Sequence, residues 1–254
     1  MLKIKVFYHL YIPDDLRACS WTWCVDQQLQ MIKKSKLYNI AEVYMCVTMP
    51  CGWIDLFGSP IIWNNSNQTT TFAFKLQEYI WNRYPWVNIL NIRDTADPNL
   101  FEGVTLQKMH EQSLDQDFFA LYIHAKGVIP QSSPSVASWR EILNYYLIDN
   151  WVENIKFLND YQVVAINDAH TEHAAVVSGN FFWARSDYLR ELCNPLDQHL
   201  YVDVEPMAPL NRYSLEAWIL HKNPQVKYLI NTHVNHYGSY CFLENILENP
   251  TNYQ

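Results

Sequence analysis

The sequence predicts an α/β fold built on a mainly parallel central sheet with helices on both faces. Three observations carry this. Strand-type segments alternate with helix-type segments along the chain. One of them, Phe118–His124 (F-F-A-L-Y-I-H), is a near-continuous apolar run, as suits a central strand covered on both faces. Polar and cationic residues accumulate where strands should end: Tyr8-His9, Arg93-Asp94, His124-Ala125-Lys126-Gly127, Asn167-Asp168 and His233. In open sheets of this kind ligands bind beyond the carboxyl ends of the strands.

The first strand is marked by Ile4, Val6 and Tyr8 at alternate positions. From Ser20 to Lys36, Trp21, Val25, Leu29 and Ile32 recur at helical spacing, and Lys33, Lys34 and Lys36 suit a helix C-terminus. Glu42–Met49 is the second strand. Pro50–Thr71 is irregular, rich in Gly, Pro, Asn and Thr, and reads as loop with room for a short strand at Ile61–Trp63. Phe72–Arg83 is the next helix, stopped by Tyr84-Pro85. A strand at Trp86–Ile92, a polar loop at Asp94–Phe101 and a helix at Gly103–Gln112 lead into Phe118–His124.

After a Pro/Ser loop at Pro130–Ser138, one long helix is expected to about Leu158, with Trp139, Ile142, Leu143, Tyr146, Leu147 and Trp151 on its apolar stripe. Gln162–Asn167 is a strand. Val176–Leu192 (V-V-S-G-N-F-F-W-A-R-S-D-Y-L-R-E-L) reads as a strand, a close-approach point at Gly179-Asn180, and then a helix with Ser186 as its N-cap signal. An acidic, proline-containing loop at Asp197–Pro209, a helix at Tyr213–Leu220 and a strand at Val226–Ile230 follow. Thr232–Tyr240 has the composition of a functional loop, and residues 241–254 read as a tail.

At 254 residues, 49% hydrophobic and 17% charged, the chain can bury a sizeable core and is not of disordered composition. No fixed-period repeat or low-complexity linker divides it, so a single domain is expected. A formal net charge of −8 argues against a general nucleic-acid binder. No 18-residue apolar stretch predicts a membrane span, and the amino terminus opens as a strand without a signal-peptide core. Together with six scattered cysteines that form no C-x-x-C, this gives an expectation of reduced thiols and a cytoplasmic location.

The candidate chemistry is spread over several segments. Gly179, Asn180 and the aromatics Phe181, Phe182 and Trp183 would suit a sugar, or equally a bulged core strand. Lys126 beside His124 and Gly127 offers a compact charge and a tight turn for a phosphate; the plainer reading is a solvated surface loop. Glu216 lies one helical turn after Arg212, which gives either a surface ion pair or a carboxylate for proton abstraction. Asp94-Thr95-Ala96-Asp97 and Asp203-Val204-Glu205 are the nearest approaches to a cation-binding D-x-D, and both lie in loops where acids are commonly solvated. His233 and His236 form only a weak metal pattern. No Walker loop, G-x-G-x-x-G or G-x-S-x-G elbow occurs, and six glycines cannot build a glycine-rich phosphate cradle.

These segments in this order resemble a known family. The matching pieces are Phe7-Tyr8-His9-Leu10-Tyr11, Lys36-Leu37-Tyr38-Asn39, Glu102-Gly103-Val104-Thr105-Leu106, Tyr122-Ile123-His124-Ala125-Lys126-Gly127, Trp139-Arg140, Ser178–Ala184 and Glu216–Ile219. The set is similar to the small GT-A-fold glycosyltransferases of bacterial polysaccharide clusters and large DNA viruses, including the amino-terminal domain of a chlorella-virus multidomain glycosyltransferase.

The resemblance implies a GT-A-like domain that transfers a sugar from a nucleoside-diphosphate sugar, UDP-linked by first expectation, to a glycan or other hydroxyl acceptor. Residues 1–127 would form the nucleotide-sugar half, with Tyr8, His9, Asp94, Lys126 and Gly127 at the nucleotide. Residues 128–240 would form the acceptor half, with Gly179, Asn180, Trp183, Arg212 and His233 at the substrate. Glu216, His124 and Lys126 would be catalytic. Two departures bear on the chemistry: no D-x-D stands at the usual strand end, which leaves a Mn or Mg site open, and Ala125 replaces the usual threonine. The runner-up is a non-catalytic nucleotide-sugar or glycan-binding domain on a degenerate transferase fold, and a third reading is a metal-dependent hydrolase.

Overall fold

The computed structural model describes residues 2–12, 21–50, 66–95, 102–125, 134–170, 175–197 and 212–230. The main sheet uses β1 (Lys3–Tyr11), β2 (Ala41–Pro50), β3 (Val87–Thr95), β4 (Phe118–His124), β5 (Val163–Ala165), β8 (Phe182–Arg185) and β9 (Val226–Tyr228). Their spatial order is β3-β2-β1-β4-β8-β5-β9. The β1–β2, β2–β3, β1–β4 and β5–β9 pairs are parallel. Strand β8 runs antiparallel to both β4 and β5. The sheet is therefore mixed and mostly parallel, as expected in coarse outline. A separate antiparallel pair, β6 (Asp168–His170) with β7 (Ala175–Val177), was not anticipated.

Helices cover both faces. One core layer joins Val6 and Tyr8 of β1 to Val25 and Leu29 of α1 (Trp21–Lys34), Ile80 of α2 (Ser66–Arg83), and Trp139 and Leu143 of α4 (Pro134–Asn144). The opposite layer joins Phe7 and Tyr122 to Leu106 and Met109 of α3 (Gly103–Asp115), Leu189 of α6 (Ser186–Glu191), and Leu215 of α7 (Arg212–Ala217). The double covering explains why nearly all of β1 and β4 is buried. Such strands lose the alternation of a one-sided sheet. Even Lys5 is taken inside, its Nζ donating to Gln112 at 2.6 Å and Gln116 at 2.8 Å.

Local departures have physical causes. Helix α2 starts at Ser66, inside the segment read as loop. Ser, Asn and Thr favour turns by bonding their own backbone, and that run has no apolar period to signal a helix. The long helix expected up to Leu158 is two helices. Helix α4 starts early with Pro134 at its first position, where the missing N–H costs nothing. A π-turn at Tyr145–Asp149 separates it from α5 (Trp151–Phe157). In that turn the Tyr146 carbonyl accepts from Asn154 Nδ2 at 2.8 Å and the Leu147 carbonyl from the Trp183 indole at 2.7 Å. Ser186 does not cap α6: its Oγ accepts from the Phe118 N–H at 2.9 Å and ties the helix start to β4. No helix among the described residues is long and apolar enough to cross a membrane.

Candidate functional site

Strand order reverses its sense of progression at β1: β2 and β3 lie to one side, and the chain resumes with β4 on the other. A switch point of this kind opens a crevice at the carboxyl ends of the two central strands. His9 lies two residues before the end of β1 and His124 ends β4, and the two are register partners. The Ala125 N–H donates to the His9 carbonyl at 2.9 Å, which holds the residue after β4 against β1.

His9 is 3% exposed. Its Nδ1 lies 2.9 Å from Thr105 Oγ1 on the first turn of α3, and its Nε2 lies 3.2 Å from Thr48 Oγ1 near the end of β2. Burial away from water lowers its pKa to about 3. His9 is thus a neutral ring whose two nitrogens join three elements. That corrects the expectation that it meets a nucleotide directly. His124 is half-buried, its Nε2 donating to the Gly179 carbonyl at 2.9 Å and its ring meeting Phe181 edge-on with centroids 4.9 Å apart.

Gly179 and Asn180 form a left-handed corner between β7 and β8, with φ of 76° and 50°. The glycine is required twice over. Its φ disfavours any side chain, and a Cβ there would stand 2.7 Å from Leu143 Cδ1 and 3.0 Å from Trp139 Nε1. The corner brings Asn180 under the start of α3, where its Nδ2 donates to Glu102 Oε1 at 2.7 Å. Glu102, 7% exposed, accepts from Tyr122 Oη at 3.2 Å through its other oxygen. The first-turn N–H groups of α3 favour a negative charge at that end. Burial, the charge and hydrogen bond of Glu102, and more weakly the charge of Glu216 hold the Tyr122 hydroxyl far above its ordinary pKa, so it remains a donor. Glu216, half-buried on α7, lies near enough for its charge to weigh weakly on the same phenol. Trp218 and Ile219 anchor that helix in the core.

The corner thus gathers His9, His124, Gly179 and Asn180 around the ends of β1 and β4, with Glu216 on α7 close enough for its charge to reach Tyr122. Two expected contacts are displaced. Tyr8 points to the opposite face, fully buried, with its Oη on Gln28 Oε1 at 2.7 Å. Alternation along the strand puts neighbours on opposite faces, so Tyr8 and His9 cannot both line one crevice. Trp183 is fully buried against α4 and offers no open ring face to a sugar. Asp94 lies at the carboxyl end of β3, paired in register with Met49 of β2. Arg212 opens α7, and only its backbone is described. Lys126, Gly127 and His233 lie outside the described residues.

Sequence reasoning gave no site role to Glu102, Thr105, Tyr122 or Thr48. The Glu-x-x-Thr spacing at the start of α3 was the available signal, since residues three apart share a helix face. Among the described residues no three His, Cys, Asp or Glu side chains gather as a metal site would require.

No curated protein matches the sequence. Residues 7–227 match a sequence family described as Domain of unknown function (DUF8361). The match begins within β1, ends within β9 and includes every residue of the corner just described. On that span, the chain belongs to the family Domain of unknown function (DUF8361).

Proposed function

We propose that this chain is a nucleotide-sugar-dependent glycosyltransferase of GT-A type. The observation that carries the reading is the pairing of His9 with His124 at the β1/β4 switch point, with a buried carboxylate, an amide and a second carboxylate around it. A 3-2-1-4 half-sheet is a nucleotide-binding arrangement. The reversed strand beyond it brings the Gly179-Asn180 corner to the same crevice, which suits a donor in one half and an acceptor in the other.

In this reading the bond between the anomeric carbon and the diphosphate oxygen breaks, and the acceptor oxygen bonds to that carbon. The acceptor proton passes to Glu216 and the nucleoside diphosphate leaves. Charge building on the leaving oxygens needs donors close by; Lys126, two residues after β4, supplies one, and His124, whose Nε2–H is held by the Gly179 carbonyl, supplies another through Nδ1 when its ring is protonated. Asp94 at the end of β3 takes the nucleoside side, and Arg212 and His233 take the acceptor side.

The test is a thermal-shift panel of UDP-, GDP-, dTDP- and CMP-sugars, each with and without Mn2+. A ligand at 100 times its Kd stabilises the native state by about 2.7 kcal/mol. One nucleotide class should raise Tm, and Lys126→Ala should abolish the shift. The manganese arms report whether a divalent ion takes part. Absence of a shift with every donor, with and without Mn2+, would overturn the proposal.

A further inference from the structure

We infer that Asn180 reads a sugar hydroxyl, its amide oxygen accepting from that hydroxyl while its amide nitrogen stays on Glu102; this rests on the transferase reading. Asn180 is 2% exposed, and its Nδ2 is committed to Glu102 Oε1 at 2.7 Å. The amide cannot be turned over, because its oxygen would then face a carboxylate. The atom left over is Oδ1, which is buried and has no partner. The residue also sits at φ 50°, in the left-handed region that asparagine adopts more readily than other side chains. A buried unmet acceptor is the kind of cost proteins concentrate at ligand sites.

The chemistry of the missing partner follows from its surroundings. Oδ1 needs a donor. Beside it stand the Glu102 carboxylate and a Tyr122 hydroxyl already spent on that carboxylate. This wall of the crevice is anionic and accepting, so it repels a diphosphate, which brings only charge of the same sign and further acceptors. A sugar hydroxyl is neutral and donates. The wall therefore sets the sugar end of the ligand, and the phosphates lie towards His124 at the end of β4.

The variant for the test is Asn180→Gly, since glycine keeps the left-handed corner without strain. Binding of the nucleotide-sugar selected by the thermal-shift panel, of the matching free nucleotide, and of methyl glucoside and methyl galactoside is measured by calorimetry. The expected result is nucleotide-sugar binding weakened about tenfold or more, a loss of about 1.4 kcal/mol, with nucleotide binding unchanged. That outcome assigns the hydroxyl to the donor. A loss confined to the methyl hexosides assigns it to the acceptor and equally supports the inference. A Gly variant with lowered Tm but wild-type affinity for every probe means that a bound water alone satisfies Oδ1, and overturns the inference while the transferase reading stands. Wild-type protein that binds none of the probes overturns both. Should the Gly variant not fold, Asn180→Asp replaces it. Two carboxylates would then face each other, so donor binding should fall at pH 8 and recover towards pH 5 as the pair takes up a proton; wild-type affinity at pH 8 would overturn the inference.

Discussion

His9 and His124 are register partners on adjacent parallel strands, yet their environments divide their roles. His9 is sealed between two threonine hydroxyls, whereas His124 is half-buried with its Nε2 on the Gly179 carbonyl. The first is a brace beneath the crevice, and the second lies on its wall.

That division gives a pH prediction. Burial lowers the His9 pKa to about 3 from an ordinary value near 6.5. Between those values the unfolded chain binds a proton that the native state does not, so stability rises with pH across the window. The contribution is complete above about pH 6.5 and is lost as pH falls towards 3, at no more than about 1.4 kcal/mol per pH unit. Urea denaturation of wild type and His9→Gln from pH 4.5 to 7.5 should show a shallower slope in the variant. Parallel curves would refute the buried neutral ring.

Gly179→Ala should be severe. The new Cβ meets Leu143 Cδ1 at 2.7 Å on a backbone with φ 76°. Left-handed geometry costs an alanine about 1–2 kcal/mol, and overpacking adds about 1–3 kcal/mol. A loss of about 2–5 kcal/mol should appear as a lower urea midpoint at unchanged m. The same change moves the carbonyl that holds His124, so donor affinity should fall in whatever variant protein remains folded. A loss under about 1 kcal/mol would show that the corner is looser than its contacts imply.

The sequence made the strand–helix alternation and the exits of β1 and β4 legible, because buried parallel strands are short apolar runs ending in polar residues. It could not separate Tyr8 from His9, since both are buried and only the sheet's two faces tell them apart. Trp183 read as a ligand wall for a related reason: aromatic composition says nothing about which side of β8 a ring occupies. Glu102 was missed because its value lies in contacts 20 and 78 residues away, with Tyr122 and Asn180. The split of the Ser178 region into β7, corner and β8 depended on pairing partners distant in sequence.

Tyr8→Phe separates packing from binding. The hydroxyl donates to Gln28 Oε1, and Gln28 Nε2 in turn donates to the His124 carbonyl at 3.1 Å. Removing the phenol oxygen leaves a buried amide oxygen short of its donor, at a cost of about 1–3 kcal/mol. Because the ring faces α1 rather than the crevice, nucleotide-sugar affinity should stay within about twofold of wild type, a difference of about 0.4 kcal/mol. Calorimetry on the folded variant checks this. A large loss of affinity with little loss of stability would return Tyr8 to the ligand.

Glu216→Gln tests which carboxylate takes the proton. Glu216 and Glu102 both act on Tyr122, but Glu102 is buried and committed to Asn180, whereas Glu216 is half-buried on α7. A general base must reach the acceptor hydroxyl, and the more exposed carboxylate is the one a ligand can approach. Its amide should bind the donor normally and keep Tm within a few degrees of wild type. Transfer, measured as nucleotide released in the presence of acceptor, should fall about 10²–10⁴-fold. Glu102→Gln should instead weaken donor binding and lower Tm together, because it removes the charge that Asn180 and Tyr122 are arranged around. Undiminished turnover in Glu216→Gln would move the base to Glu102 and make the buried carboxylate the reactive one.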